Sequence, residues 1–246
     1  MRQLKIAIQF LTRLPVEIEP PPAPGELART TPLFPLIGAL VGAAGGGAYA
    51  LAWTLGLTGF LGALVAVTVM ILLTGALHED GLADVADGLG GGRTPAQKLE
   101  IMRDSRLGSY GALALILALS ARTGALASLG IPEVVVPALV AAAAVSRSAI
   151  LPLMLLPPAR PDGRASEAGP PSTIAVGAGL AFGLAIAFVL LDPLPALAAT
   201  GVALLTAIAV GLIAMRQLGG ITGDVLGAGQ QAAEIAFLFA LAGRIG

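Results

Sequence analysis

Cysteine is absent from the 246 residues, which excludes disulfides and thiolate metal sites. Charge is scarce: Asp, Glu, Lys and Arg make up 12% of the chain, against roughly 25% in a soluble domain. So thin a polar cover excludes an ordinary water-facing surface. Neither sign dominates, with 14 Lys and Arg against 15 Asp and Glu and a net charge of −1. No basic field therefore points to nucleic acid. There is a single histidine, His78. The first twenty residues lack the unbroken apolar core of a signal peptide, because Gln9 and Arg13 interrupt it. No internal repeat is visible, which argues against a transporter built from related halves.

Hydrocarbon fills the space that charge leaves. The chain is 56% hydrophobic with a mean hydropathy of +0.89. Several runs approach or exceed the ~20 apolar residues that cross a bilayer core. The expected fold is an all-α integral membrane protein, a single domain over residues 1–246. It is a polytopic bundle of about seven transmembrane helices plus an N-terminal amphipathic interfacial helix. Residues 1–14 form that interfacial helix, basic on its wet side. Residues 15–32 carry six prolines and are expected to be an extended link. Spans are expected over residues 33–54, 59–77, 108–129, 134–157, 173–191 and 195–214, with a short, weak one over 231–245.

The basic residues test this arrangement. Alternating the spans puts Arg2, Lys5, Arg13, Arg29, Arg93, Lys98, Arg103, Arg106, Arg160, Arg164 and Arg216 on one side. The opposite connections, near 55–58, 130–133 and 192–194, hold no Lys or Arg. By the positive-inside rule the N-terminus and the polar blocks face the cytoplasm. Such a protein works on a cytoplasmic substrate rather than moving one across the membrane.

The polar residues concentrate in residues 74–111, which hold the only His, six of the fifteen acids and four of the fourteen basic residues. Asp80, Asp84 and Asp87 are spaced i, i+4 and i+7, within an arc of about 60° on a helix. Carboxylates so close repel one another unless a cation sits among them. Hard oxygen donors suit Mg²⁺, which also holds substrate phosphates. Gly81 and Gly88 leave room for a phosphate ester to approach. The glycines at 88–92 permit a turn or an anion nest. Thr94 before Pro95 marks an N-cap. Arg106 is a natural phosphate ligand, and Asp104 a candidate metal ligand or base. Arg122 and Arg147 lie inside spans, where charge must face the protein interior. Arg147 is the candidate for a diphosphate and Arg122 for a structural ion pair. A second polar patch over 215–230 offers Thr222 and Asp224, with Gln230, Gln231 and Glu234 behind. Acids and arginines at a membrane mouth point to metal-assisted phosphoryl or nucleotidyl transfer.

Three motifs in order go further: LHEDGLADVADGLGG, EIMRDSRLGSYG and GGITGDVLGA. With FLTRLPV and PLFPLIGALVG near the start, the chain resembles the membrane-bound cobalamin (5′-phosphate) synthases, the adenosylcobinamide-GDP ribazoletransferases. The resemblance implies an Mg²⁺-dependent late step of cobalamin assembly. A hydroxyl of α-ribazole, or of its 5′-phosphate, attacks the phosphate that joins adenosylcobinamide to GMP, and GMP leaves. It implies that Asp80, Asp84 and Asp87 hold Mg²⁺ and that Asp104 or His78 is the base. It also implies that Arg106, Arg147 and Asp224 bind the substrate phosphates. The corrin requires a wide cavity. A homo-oligomer is compatible with the sequence. Two rivals are a CDP-alcohol phosphotransferase or prenyltransferase acting on lipids, and a transporter. The DGLAD stretch is similar to the first rival's opening, but Asp84 replaces the Arg expected there and its later aspartate set is missing.

Overall fold

The computed structural model describes residues 1–160 and 169–245, and the place expected for Arg164 falls outside them. Helix α1 (Arg2–Leu11) opens the chain. A 3₁₀ turn (Leu27–Leu33) leads into α2 (Phe34–Thr54). Next come α3 (Phe60–Thr74), α4 (Leu77–Gly91) and α5 (Pro95–Ile101). Then follow α6 (Ser109–Leu129) and α7 (Pro132–Ala149), which runs on into a 3₁₀ turn (Leu151–Leu155). Helices α8 (Thr173–Leu190), α9 (Pro193–Leu218) and α10 (Gly223–Ile245) complete the bundle. No strand occurs among the described residues.

Six stretches are long and apolar enough to cross a membrane: Leu27–Thr54, Ser109–Leu129, Pro132–Leu155, Thr173–Leu190, Pro193–Leu218 and Gly223–Gly243. The span expected over 59–77 is different. Helix α3 stops after 15 residues and α4 leaves it at 90°. Gly75 and Ala76 both take left-handed conformations, with φ of 65° and 58°, and this turns the chain. Glycine adopts that conformation freely, whereas alanine pays a steric cost. Helix α4, with its three aspartates, starts inside the bundle, where Glu79 meets Arg122 and Gln231, and runs out to Asp87 at the start of α6.

Other expected boundaries also move. The last span is not short: α10 begins at Gly223 and runs 23 residues. Most of the 215–230 patch is thus helix, since 215–218 end α9 and 223–230 begin α10. The proline-rich link is extended only in part, because its end winds into the Leu27–Leu33 turn with Pro32 inside. The glycines at 88–91 continue α4 and form no nest.

Small residues let the helices meet closely, the main device of packing in lipid. Helix α2 lies against α7, where a Cβ on Gly42 would come within 2.5 Å of the Leu139 carbonyl oxygen. Ala141, Ala142, Ala143 and Ala144 of α7 are fully buried at the centre. Helix α10 packs against α4, α6, α7 and α9 and so ties the site to the core.

Helix α1 lies on the bundle. Its Ile6, Ala7 and Leu11 are buried, and Ala7 and Leu11 cluster with Phe34, Ile37, Leu151 and Val176. Lys5 and Gln9 stay exposed, as the amphipathic pattern requires. The helix is pinned at both ends. Arg2 pairs with Glu26 at 2.9 Å, and the Arg13 amide donates to the Leu73 carbonyl at 2.7 Å.

Candidate active site

The start of α4, the start of α10, the 150–158 segment and α1 enclose a cavity of about 370 Å³. His78, Asp80 and Asp224 form its polar side. Phe10, Leu11, Leu27, Phe34, Met154 and Leu155 are among its apolar walls. An apolar hollow with a few convergent polar groups is the usual form of a small-molecule site.

The second polar patch closes the cavity from across the bundle. The Ile221 amide donates to the Pro157 carbonyl at 2.9 Å, and the Ala159 amide donates to the Ile221 carbonyl at 2.9 Å. Thr222 caps α10, accepting from the Val225 amide at 3.2 Å. Its hydroxyl also donates to Asp224 at 3.1 Å. Asp224 sits in the first turn of α10, where the helix dipole favours an anion. Gly81 gives α4 its close approach here, since a Cβ would lie 2.8 Å from the Asp224 carbonyl oxygen. Gly88 likewise faces Met102 and the Lys98 backbone. Both glycines serve helix contacts, not the approach of a phosphate.

Asp84 is half-buried on α4. Burial, and then the negative charges of Asp80, Asp224 and Asp87, push its carboxyl up to about 7, while Arg160 pulls the other way. Arg160 stands 3.6 Å from Asp224 and is largely buried. The sequence reading used Arg160 only as a marker of topology. Its signal was an arginine directly after an apolar span, on the side that carries the acids.

The remaining expected residues lie elsewhere. Asp87 accepts from the Gly108 and Gly111 amides, each at 2.8 Å, and so caps the start of α6. Asp104 and Arg106 grip each other in the loop before α6, with contacts of 3.0 Å through Nε. Neither lines the cavity. The Arg106 guanidinium holds Asp104 down at about 2, which makes it a weak proton acceptor. His78 is 3% exposed and lines the cavity. Burial and the nearby Arg147 and Arg122 push its pKa well down, so the imidazole is neutral.

Arg147 is 2% exposed and is not among the residues that line the cavity. It donates to the Ala143 carbonyl at 2.9 Å and lies 3.6 Å from Glu234. Arg122 bonds Glu79 at 2.8 Å and Glu234 at 2.7 Å. Gln231 donates to Glu79 at 3.1 Å, and Gln230 to Glu234 at 2.7 Å. Two arginines and two glutamates thus balance inside the bundle and join α4, α6, α7 and α10. Arg122 is the structural ion pair expected. Glu79 and Glu234 were not expected in one, because sequence spacing does not show that α4 turns inward at its first residues.

Among the described residues, no three His, Asp or Glu side chains surround one metal-sized point. A Mg²⁺ ion needs less, for it commonly takes one or two carboxylates and completes its shell with water and substrate phosphates. Asp84 lies in the field of Asp80 and Asp224, with Arg160 as the opposing charge. That surplus of carboxylate fits such an ion.

An all-helical bundle with apolar spanning helices and an acid-lined cavity defines a polytopic membrane protein with a small-molecule site. The chain matches the cobalamin-5-phosphate synthase family (CobS) over residues 3–242 and belongs to it. It is similar to the adenosylcobinamide-GDP ribazoletransferase of Bradyrhizobium diazoefficiens, 48% identical over 240 residues, covering 97% of this chain and 92% of the relative. The protein of that name from Azorhizobium caulinodans is 45% identical over 242 residues, covering 94% of this chain and 92% of the relative. The one from Rhizobium etli is 45% identical over 251 residues, covering 96% and 94%. No solved structure matches the chain. The chain is a transferase of this family, and the lipid transferase reading is not favoured.

Proposed function

We propose that this protein joins adenosylcobinamide-GDP to α-ribazole or its 5′-phosphate, releasing GMP. Family membership supports the reaction. The observation that carries the site is the convergence of His78, Asp80 and Asp224 on one cavity. A ribose hydroxyl of the acceptor attacks the phosphorus that bears the cobinamide alkoxide. The new P–O bond forms, the P–O bond to GMP breaks, and the hydroxyl proton passes to a base. His78 is the better candidate because it lines the cavity, whereas Asp104 lies outside it and is paired with Arg106.

Asp80 and Asp84 hold Mg²⁺ in this reading, with Asp224 facing them. When bound, the ion neutralises the diphosphate and stabilises the leaving phosphate. Arg160 takes the phosphate charge that Arg106 and Arg147 were expected to take. Asp87 serves by fixing α6 beside α4. The polar end of the bundle faces the cytoplasm, as the basic residues of the loops indicate.

The test is product formation by purified protein given adenosylcobinamide-GDP and α-ribazole or its 5′-phosphate, with and without Mg²⁺, beside Asp84→Ala. Metal-dependent GMP release with a cobalamin product, lost in the variant, is the expected result. Turnover that survives Asp84→Ala would remove the metal site and keep the reaction. Folded protein with no turnover would overturn the reaction itself.

A further inference from the structure

We propose that the apolar half of the cavity is the subsite for the base of the acceptor nucleoside, and that Phe10, backed by Phe34, decides which base it takes. This rests on the transferase reading above.

Volume narrows the occupant first. A cavity of about 370 Å³ is at the low end of the ~300–1,000 Å³ that holds a drug-sized ligand. It holds one small nucleoside within its walls, and a corrin nucleotide would have to extend beyond them. Polarity narrows it next. The chemistry sits on the side of His78, Asp80 and Asp224, and the rest of the lining is predominantly hydrocarbon. A diphosphate or a guanine placed there would bury charge or hydrogen-bonding groups without partners, at a cost of several kcal/mol. An uncharged bicyclic heteroaromatic ring of the benzimidazole type loses nothing. With that ring against the apolar wall, its ribose hydroxyls lie toward His78 and Asp80.

The wall is built for a flat ring. Phe10 of α1 and Phe34 of α2 stack with centroids 5.8 Å apart and planes at 22°. Both line the cavity, with Leu11 and Leu27 beside them. Phe34 is 1% exposed and backs the pair, so the ring of Phe10 is the aromatic face left for offset stacking with a ligand. Helix α1 is therefore part of the site as well as a surface helix. Its anchors at Arg2–Glu26 and at the Arg13 amide hold Phe10 in place.

The experiment compares ribosides of dimethylbenzimidazole and unsubstituted benzimidazole as acceptors, using the full chain in lipid nanodiscs. Wild type is read beside Phe10→Ala and the milder Phe10→Leu. Loss of a packed apolar contact is worth about tenfold or more in discrimination. Phe10→Ala is expected to raise the acceptor KM about tenfold and to shrink the preference between the two bases. The KM for adenosylcobinamide-GDP should stay unchanged. An unaltered preference in both variants, or a rise confined to the donor KM, would overturn the subsite. Equilibrium dialysis of the dimethylbenzimidazole riboside, without donor, separates this failure from failure of the reaction. Riboside that binds wild type and is lost in Phe10→Ala supports the subsite even if no cobalamin forms. A lipid chain that occupies the cavity and excludes the riboside overturns it.

Discussion

Arg122 on α6 donates to Glu79 on α4 at 2.8 Å, and the two side chains are 3% and 9% exposed. Glu79 immediately precedes Asp80, so a buried ion pair in the bundle sets the pose of the residue at the cavity. Removing one partner leaves a buried charge without its counterion, which costs about 3–5 kcal/mol. Arg122→Met should therefore lower the melting temperature in detergent sharply. Arg122→Met with Glu79→Gln restores charge balance among the four buried groups and should recover much of the loss. Equal melting temperatures for the single and double variants would show that the pair is not coupled.

Asp87 and Asp84 share one face of α4 yet have different duties. Asp87→Ala removes two amide partners at the start of α6 and should cost about 1–2 kcal/mol of stability. Binding of Mn²⁺, followed by electron paramagnetic resonance, should change little. Asp84→Ala should show the reverse, with weakened Mn²⁺ binding and a stability equal to or above wild type.

Arg160 is the cation beside the acids, and Arg106 is the exposed one. A hydrogen bond to a charged group is worth about 1.5–3 kcal/mol. Arg160→Ala should raise the KM for adenosylcobinamide-GDP about tenfold or more, with partial rescue by Arg160→Lys. Arg106→Ala should change it less than Arg160→Ala does. Steady-state kinetics at saturating acceptor would decide the order.

The pH dependence follows from Asp84, raised to about 7 from 3.8. Its folded pKa exceeds its unfolded one, so the folded protein holds the proton more tightly. Asp84 makes stability without metal fall as pH rises from about 4 to about 7, whereas His78, held neutral by burial, opposes that fall below its ordinary value of 6.5. Mg²⁺ favours the carboxylate and should flatten that fall, while Asp84→Asn should abolish it. Activity should rise through pH 7 as the carboxylate forms. Asp104, held at about 2, adds no step in this range. Melting curves between pH 5 and 8, with and without Mg²⁺, would test each point.

Much of this was legible in one dimension. Apolar run length marked the spans, and the i, i+4, i+7 spacing put Asp80, Asp84 and Asp87 on one helix. The N-cap at Thr94 is present, with the Gln97 amide 3.3 Å from its hydroxyl. What failed was direction. Nothing in the run at 59–77 shows that Gly75 and Ala76 turn the chain through 90°, so His78 and Glu79 could not be oriented. Arg147 was assigned to a phosphate because charge in a span must face inward, a rule that does not tell a cavity from a core. Arg160 and Phe10 escaped because they approach Asp224 and the cavity, respectively, from segments far away in sequence.

The bend after α3 has a further consequence. Fifteen residues of helix rise about 22 Å, less than the ~30 Å hydrocarbon thickness of a bilayer. If the span ends at the bend, the membrane must thin or the floor of the cavity must sit below the surrounding headgroups. Such hydrophobic mismatch costs fractions of a kcal/mol per Å. The acyl length of the host lipid thus becomes a reaction condition, because the same charge on Asp84 would meet water in a thin membrane and hydrocarbon in a thick one.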